Sequence, residues 1–197
     1  MKIIIVSIIF LSISFNVHSG DFNFETSAEG IATALTNQKS KKRVKTRGLK
    51  GINVKKTRSI KVVGEEKGLV VEKTVLIPSD QTDRSVNLKI EFDVDSSAIR
   101  SDSFALLDEL GKALTGAKLA GKDLAIIGHT DSDGDVNYNL KLSLSRAVSV
   151  KTYLTTNFQI EAYRLTVFGY GESLPLVPDN NTGNKQLNRR VEITLKE

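Results

Sequence analysis

The sequence contains no cysteine, so its core must hold by packing without a disulfide framework, and no thiol is present to carry an N-terminal lipid anchor. Histidine is almost as scarce: past the first nineteen residues only His129 remains, which excludes a histidine-rich zinc site within one chain. Apart from Ile3 to Ile13, no segment approaches the roughly 20 apolar residues that cross a bilayer. There is no internal repeat and no G-x-S-x-G elbow to present a serine nucleophile. The 66 residues from 20 to 85 are too few for eight membrane strands of about ten residues each with their turns.

What is present begins with an export signal. Lys2 supplies a positive start, Ile3 to Ile13 an apolar stretch, and Val17-His18-Ser19 a small-residue cleavage pattern, so residues 1–19 read as a secretory signal peptide. No transmembrane segment is then expected in the mature chain. Charge divides the remainder: residues 20–85 hold 14 Lys and Arg against 8 Asp and Glu, whereas residues 86–197 hold 13 against 15. The excess lies between Lys39 and Lys61, where 11 basic residues stand without an acidic or aromatic one. Such a block buries too little apolar surface to offset the entropy of ordering, and residues 20–61 are expected to be a basic, flexible N-terminal segment. Export and the missing aromatic platform argue against nucleic acid, leaving an anionic envelope surface or an envelope protein as candidate partners of residues 39–61. Residues 62–85 read as a short β-rich connector.

From Val86 the patterning changes. Val86, Leu88, Ile90 and Phe92 alternate with polar residues, as in a strand with one buried face. Phe104, Leu107, Leu110 and Leu114 follow at helical spacing; Leu124 to Ile127 forms a fully apolar strand. A broad stripe of Leu140, Leu144, Ala147, Val148, Val150 and Leu154 predicts a helix over 138–157, and 165–170 and 190–195 read as strands around a long turn-rich loop. The order β-α-β-α-β-loop-β predicts an α+β fold with helices packed on one face of a mixed sheet.

The stretch that carries chemistry is Gly128-His129-Thr130-Asp131 with Tyr138-Asn139, Leu142-Ser143 and Arg146-Ala147. Asn139 and Arg146 are seven residues apart, nearly two helical turns, and so share one face with Ser143 between them. Asp131 lies in the loop just before. A carboxylate and a guanidinium so placed can grip a zwitterion, the first accepting from an ammonium and the second forking onto a carboxylate. Taken alone, they could equally form a structural ion pair.

Residues 86–197 resemble the C-terminal, peptidoglycan-binding domain of the OmpA-like family. The resemblance rests on Phe92-Asp93 with Ser96-Ser97, Gly128-His129-Thr130-Asp131 with Gly134, Tyr138-Asn139, Leu142-Ser143, Arg146-Ala147, Val150, Tyr153-Leu154, Gly169-Tyr170-Gly171-Glu172, Pro175, and Asn188-Arg189-Arg190-Val191-Glu192-Ile193. It implies non-covalent binding of the diaminopimelate in peptidoglycan stems, with Asp131 on the ammonium and Arg146 on the carboxylate. It further implies contributions from Asp95, Thr130, Asn139, Asn188 and Arg189. The implied location is the periplasm of a Gram-negative bacterium, against cell wall or outer membrane. An alternative keeps the wall domain as anchor only and gives the main work, docking an envelope partner, to the basic segment.

Other chemistries fare worse. Asp131, Asp133 and Asp135 alternate as in calcium loops, but in an EF-hand register beginning at Asp131 the sixth position is Val136 and the twelfth Leu142. No metal or cofactor is expected. His129 at a strand end is read as a packing and hydrogen-bonding residue, not a general base, and no enzymatic activity is expected.

Overall fold

The computed structural model describes residues 24–37, 57–78 and 84–196. The signal-like run and most of the basic block lie outside the described residues. The fold is α+β: one mixed sheet of six strands with helices packed against it.

The elements in chain order are α1 (Ala28–Thr36), β1 (Thr57–Glu66), β2 (Leu69–Pro78), β3 (Ser85–Leu88), α2 (Phe104–Thr115), β4 (Leu124–His129), α3 (Val136–Phe158), β5 (Leu165–Gly171), α4 (Thr182–Asn188) and β6 (Val191–Leu195). The sheet runs β2-β1-β5-β4-β6-β3, with β4 and β5 parallel and every other pairing antiparallel. All six residues of β4 are buried, which is why its sequence lacks the alternation of a half-exposed strand. β5 and β6 alternate between buried and half-buried positions, as strands with one covered face do.

Three expectations are corrected. The first strand of the C-terminal domain ends at Leu88 and not Phe92; Ile90 stays buried, but beyond Leu88 the chain turns into a loop closed by a Phe92–Ile99 bridge. The turn-rich loop before β6 contains α4, which Asn181 caps by accepting from the Asn184 amide. The division at residue 61 falls inside β1, because Ile60 and Val62 bury one face of that strand against Tyr170 and Leu174. β1 and β2 form an antiparallel hairpin turning at Lys67 and Gly68, and β1 joins the domain sheet where Val63 and Gly64 pair with Gly169 and Phe168. In the same N-terminal region, Ser27 caps α1, and Ile31 and Leu35 enter the main core. No helix of the described residues is long and apolar enough to cross a membrane.

What positions the site is the close approach of α3 to β4 and β5. A Cβ on Gly128 would stand 2.0 Å from the Ser143 carbonyl oxygen, and one on Gly169 would stand 2.4 Å from that of Leu140. Both glycines are therefore required for contact between backbones. Ser143 fastens the contact: its buried hydroxyl donates to the Leu140 carbonyl at 2.8 Å and accepts from the Gly171 amide at 3.0 Å. Gly128→Ala must push helix from sheet, and is expected to lower unfolding free energy by about 2 kcal/mol in urea titration. A change within 0.5 kcal/mol would show that the approach is not tight.

Candidate functional site

The carboxyl end of β4, the first three turns of α3 and the loop after β3 enclose a cleft of about 540 Å³. Thr130, Asp131, Asn139, Arg146, Asp95 and Arg189 all line it, although they come from four separate stretches of chain. Of the residues expected at the site, Asn188 alone does not. It is fully buried, accepting from the Leu176 and Val177 amides and donating to the Val177 carbonyl and the Asp179 carboxylate, and so it shapes the loop before β6.

Two residues hold the floor. Asp135 caps α3 by accepting from the Asn137 and Tyr138 amides at 2.9 and 3.0 Å, which fixes where the helix begins. One turn in, Asn139 is buried and donates through Nδ2 to the carbonyls of Asp131 and Asp133 and to the Glu172 carboxylate. Its amide nitrogen is thereby committed to holding the 131–133 loop, making Asn139 a positioning residue. Glu172 is a partner that sequence reasoning did not assign, although it ends the Gly169-Tyr170-Gly171-Glu172 motif.

Asp131 and Arg146 share the cleft without pairing. Asp131 is 8% exposed; one oxygen accepts weakly from the Asp133 amide at 3.3 Å and the other is paired with Arg189. Arg146 is 7% exposed, donates through Nε to the Ser96 carbonyl at 3.0 Å and lies over the Phe92 ring, 5.0 Å from its centroid. Among the described residues it makes no ion pair, so the simple Asp131–Arg146 salt bridge is absent. Burial, then nearby Arg189, push the Arg146 guanidinium below its ordinary pKa, while Asp131, Tyr138 and Asp95 oppose them. A guanidinium held on its Nε edge and its face keeps its two terminal nitrogens for a planar anion. At the cleft wall, the Thr130 hydroxyl is buried without a hydrogen-bond partner among the described residues. Such a group is costly unless something else bonds it.

The turn Asp93–Ser96 forms the opposite lip. Ser96 N donates to the Asp93 carbonyl, and Asp95 adopts the left-handed φ of 51° that aspartate tolerates better than most residues. Arg190 points away from the cleft: it is buried and donates to the Asn87 side chain and the Leu174 carbonyl. His129 lies behind the cleft, fully buried, with Nε2 3.2 Å from the Glu192 carboxylate.

Residues 91–189 match the model of the OmpA family, a span that contains every cleft-lining side chain just described. The chain belongs to the OmpA family. It is 35% identical over 107 residues to outer membrane porin F of Pseudomonas aeruginosa, which covers 54% of this chain and 30% of the porin. It is 33% identical over 120 residues to the peptidoglycan-associated lipoprotein of Rhizobium meliloti, covering 60% of this chain and 66% of that protein. A crystal structure of the peptidoglycan-associated lipoprotein from Burkholderia pseudomallei shares 24% identity at a TM-score of 0.49, over 54% of this chain and 88% of that one. The chain thus spans under a third of the porin's length. α1 and the β1–β2 hairpin lie outside the OmpA match, yet they extend its sheet and core.

Proposed function

We propose that this OmpA-family domain binds peptidoglycan without turning it over, by gripping the zwitterionic side-chain end of diaminopimelate, and so anchors the protein in the periplasm. The observation that carries this reading is the shared cleft of Asp131 and Arg146, unpaired with each other and so able to meet opposite poles of one ligand. The relative named a peptidoglycan-associated lipoprotein supports the choice of polymer.

The ligand carboxylate is placed on Arg146, with Arg189 close enough to add to its positive field. The ammonium is placed on Asp131, whose bond to the 41% exposed Arg189 side chain it must share or displace. Thr130 supplies the remaining polar contact, and Asp95 at the lip adds negative charge toward the ammonium. Affinity at one site is modest because one pole begins already paired, and many copies on one sacculus compensate through avidity.

Co-sedimentation with purified sacculi tests the reading. The parent chain pellets, and Asp131→Ala and Arg146→Ala remain in the supernatant with unchanged circular dichroism. Pelleting of both variants like the parent would overturn it. The reading that gives the main work to the basic block rests on its composition alone. Removing residues 37–61, which takes the first half of β1 with it, is therefore a poorer probe than changing the lysines of the basic block to glutamine, which should abolish partner capture and spare wall binding.

A further inference from the structure

The loop that carries Asp131 is crowded with like charge, because Asp131, Asp133 and Asp135 stand on alternate residues. Unanswered, their repulsion spreads the loop and lets Asp131 drift from the cleft. Arg189 answers at Asp131, the first amides of α3 at Asp135, and Asn139 at the carbonyls of Asp131 and Asp133. Lys185 of α4 adds an ion pair with the Asp133 carboxylate at 2.5 Å.

One further contact comes from an acid. Asp179, in the loop between β5 and α4, accepts from the Ser132 amide at 2.5 Å, and its other oxygen accepts from Asn188 Nδ2 at 3.3 Å. Charge alone would keep a fourth carboxylate away from the other three. Its place is explained by the N–H groups it holds, since bonds from an amide to a carboxylate are stronger than those between neutral groups. Burial favours the protonated form, yet the bonds from Ser132 and Asn188 and the Lys185 charge hold the Asp179 carboxyl below the ordinary carboxylate range. Asn188 is itself fully buried and accepts from the Leu176 and Val177 amides, so Asp179 is fastened to folded chain.

A line of bonds thus runs from Asn188 through Asp179 to Ser132, the residue directly after Asp131. We infer that Asp179 is a positioning residue of the site: it fixes the Ser132 amide, and through it the direction in which Asp131 meets the ligand's ammonium. Asp179 does not line the cleft and so acts without touching the ligand. The inference rests on the diaminopimelate reading of Asp131. It gives Asn188, which also lies outside the cleft, an indirect part in binding.

Calorimetric titration of the full chain with meso-diaminopimelate tests this, on variants shown by circular dichroism to be folded. Loss of an outer support costs about 10–100-fold in affinity at metal sites, and the lower end applies to a single carboxylate. Asp179→Ala is therefore expected to bind about tenfold more weakly, with faster hydrogen exchange at the Ser132 amide. Asp179→Asn keeps an oxygen for that amide and should bind within about threefold of the parent. A purely structural role would instead lower the urea midpoint of the alanine variant and leave the affinity of its folded form unchanged. In the parent itself the Ser132 amide should exchange at least about tenfold more slowly than in an unstructured chain. An unprotected amide there overturns the inference whatever the variants do. Equal affinities for the parent and the alanine variant, or equal losses in the alanine and asparagine variants, overturn the role of Asp179 and leave Asp131 and Arg146 as the two poles. A parent that does not bind meso-diaminopimelate overturns the diaminopimelate reading and the role of Asp179 together.

Discussion

Arg146→Ala is expected to weaken binding of meso-diaminopimelate by about thirtyfold or more, with only a small fall in the urea midpoint. Truncating one partner of a buried, hydrogen-bonded charge pair costs about 2–5 kcal/mol, because the opposite charge on the ligand then enters a cleft that no longer answers it. On the protein's side the loss is smaller. The change removes one hydrogen bond to the Ser96 carbonyl and the contact with the Phe92 ring, but also relieves the burial of a guanidinium near Arg189. About 1 kcal/mol of stability is the expected difference. Arg146→Lys separates charge from geometry: it keeps the cation but cannot fork onto a carboxylate from the same position, and should lose about tenfold. Equal affinities for the lysine variant and the parent would mean that charge alone is read. Calorimetry on the three proteins decides.

The second large effect is on stability. His129 is fully buried behind the cleft, and burial first, then Arg190, depress its pKa from the ordinary 6.5 to about 4, against the opposing pull of Glu192. Between these values the unfolded chain takes up a proton that the folded chain refuses, so folding is favoured less as pH falls. Stability attributable to His129 is complete above pH 6.5 and declines through the window down to about 4, by about 3 kcal/mol. Glu192, held below its usual carboxylate range by His129 and Arg190 despite its burial, contributes a further loss of the same sign below pH 4.5. Urea midpoints at intervals from pH 7 to 4 should trace this slope, and His129→Gln should flatten the portion above 4.5. A parent curve that is level from 6.5 to 4.5 would contradict the buried neutral imidazole.

The helix that carries Asn139 and Arg146 was legible because its apolar stripe spans about four turns: the expected 138–157 compares with Val136–Phe158. The buried strand β4 was legible from its unbroken apolar run. Elements with short or interrupted signals were not. α1 has only Ile31, Ala32 and Leu35 to bury and adjoins the basic block, whose charge dominated the reading of that region. α4 spans seven residues that include a glycine and two asparagines, a turn-forming composition. In β3 the alternation of buried residues continues through Ile90 after the ladder stops, and burial alone does not report pairing.

At the site, spacing on one helix placed Asn139 with Arg146, and a shared motif placed Asp131 beside them. Contacts between distant stretches left no local trace. The pairing of Asp131 with Arg189 joins residues 58 apart, the Asn139–Glu172 bond residues 33 apart, and the Arg146–Ser96 bond residues 50 apart. Sequence could name Asn188 and Arg189 together, but only the fold separates them, sending Asn188 into the loop before β6 and Arg189 into the cleft.

Titration of isotopically labelled protein with small ligands, followed by amide and arginine side-chain resonances, examines the two-pole grip most directly. meso-Diaminopimelate should produce saturable shifts centred on Thr130, Asp131, Arg146 and Arg189. Pimelate, which lacks the amines, and 1,5-diaminopentane, which lacks the carboxylates, should each leave those resonances in place. Saturation by either single-charge analogue with the affinity of diaminopimelate, or shifts that map away from the cleft, would contradict the account.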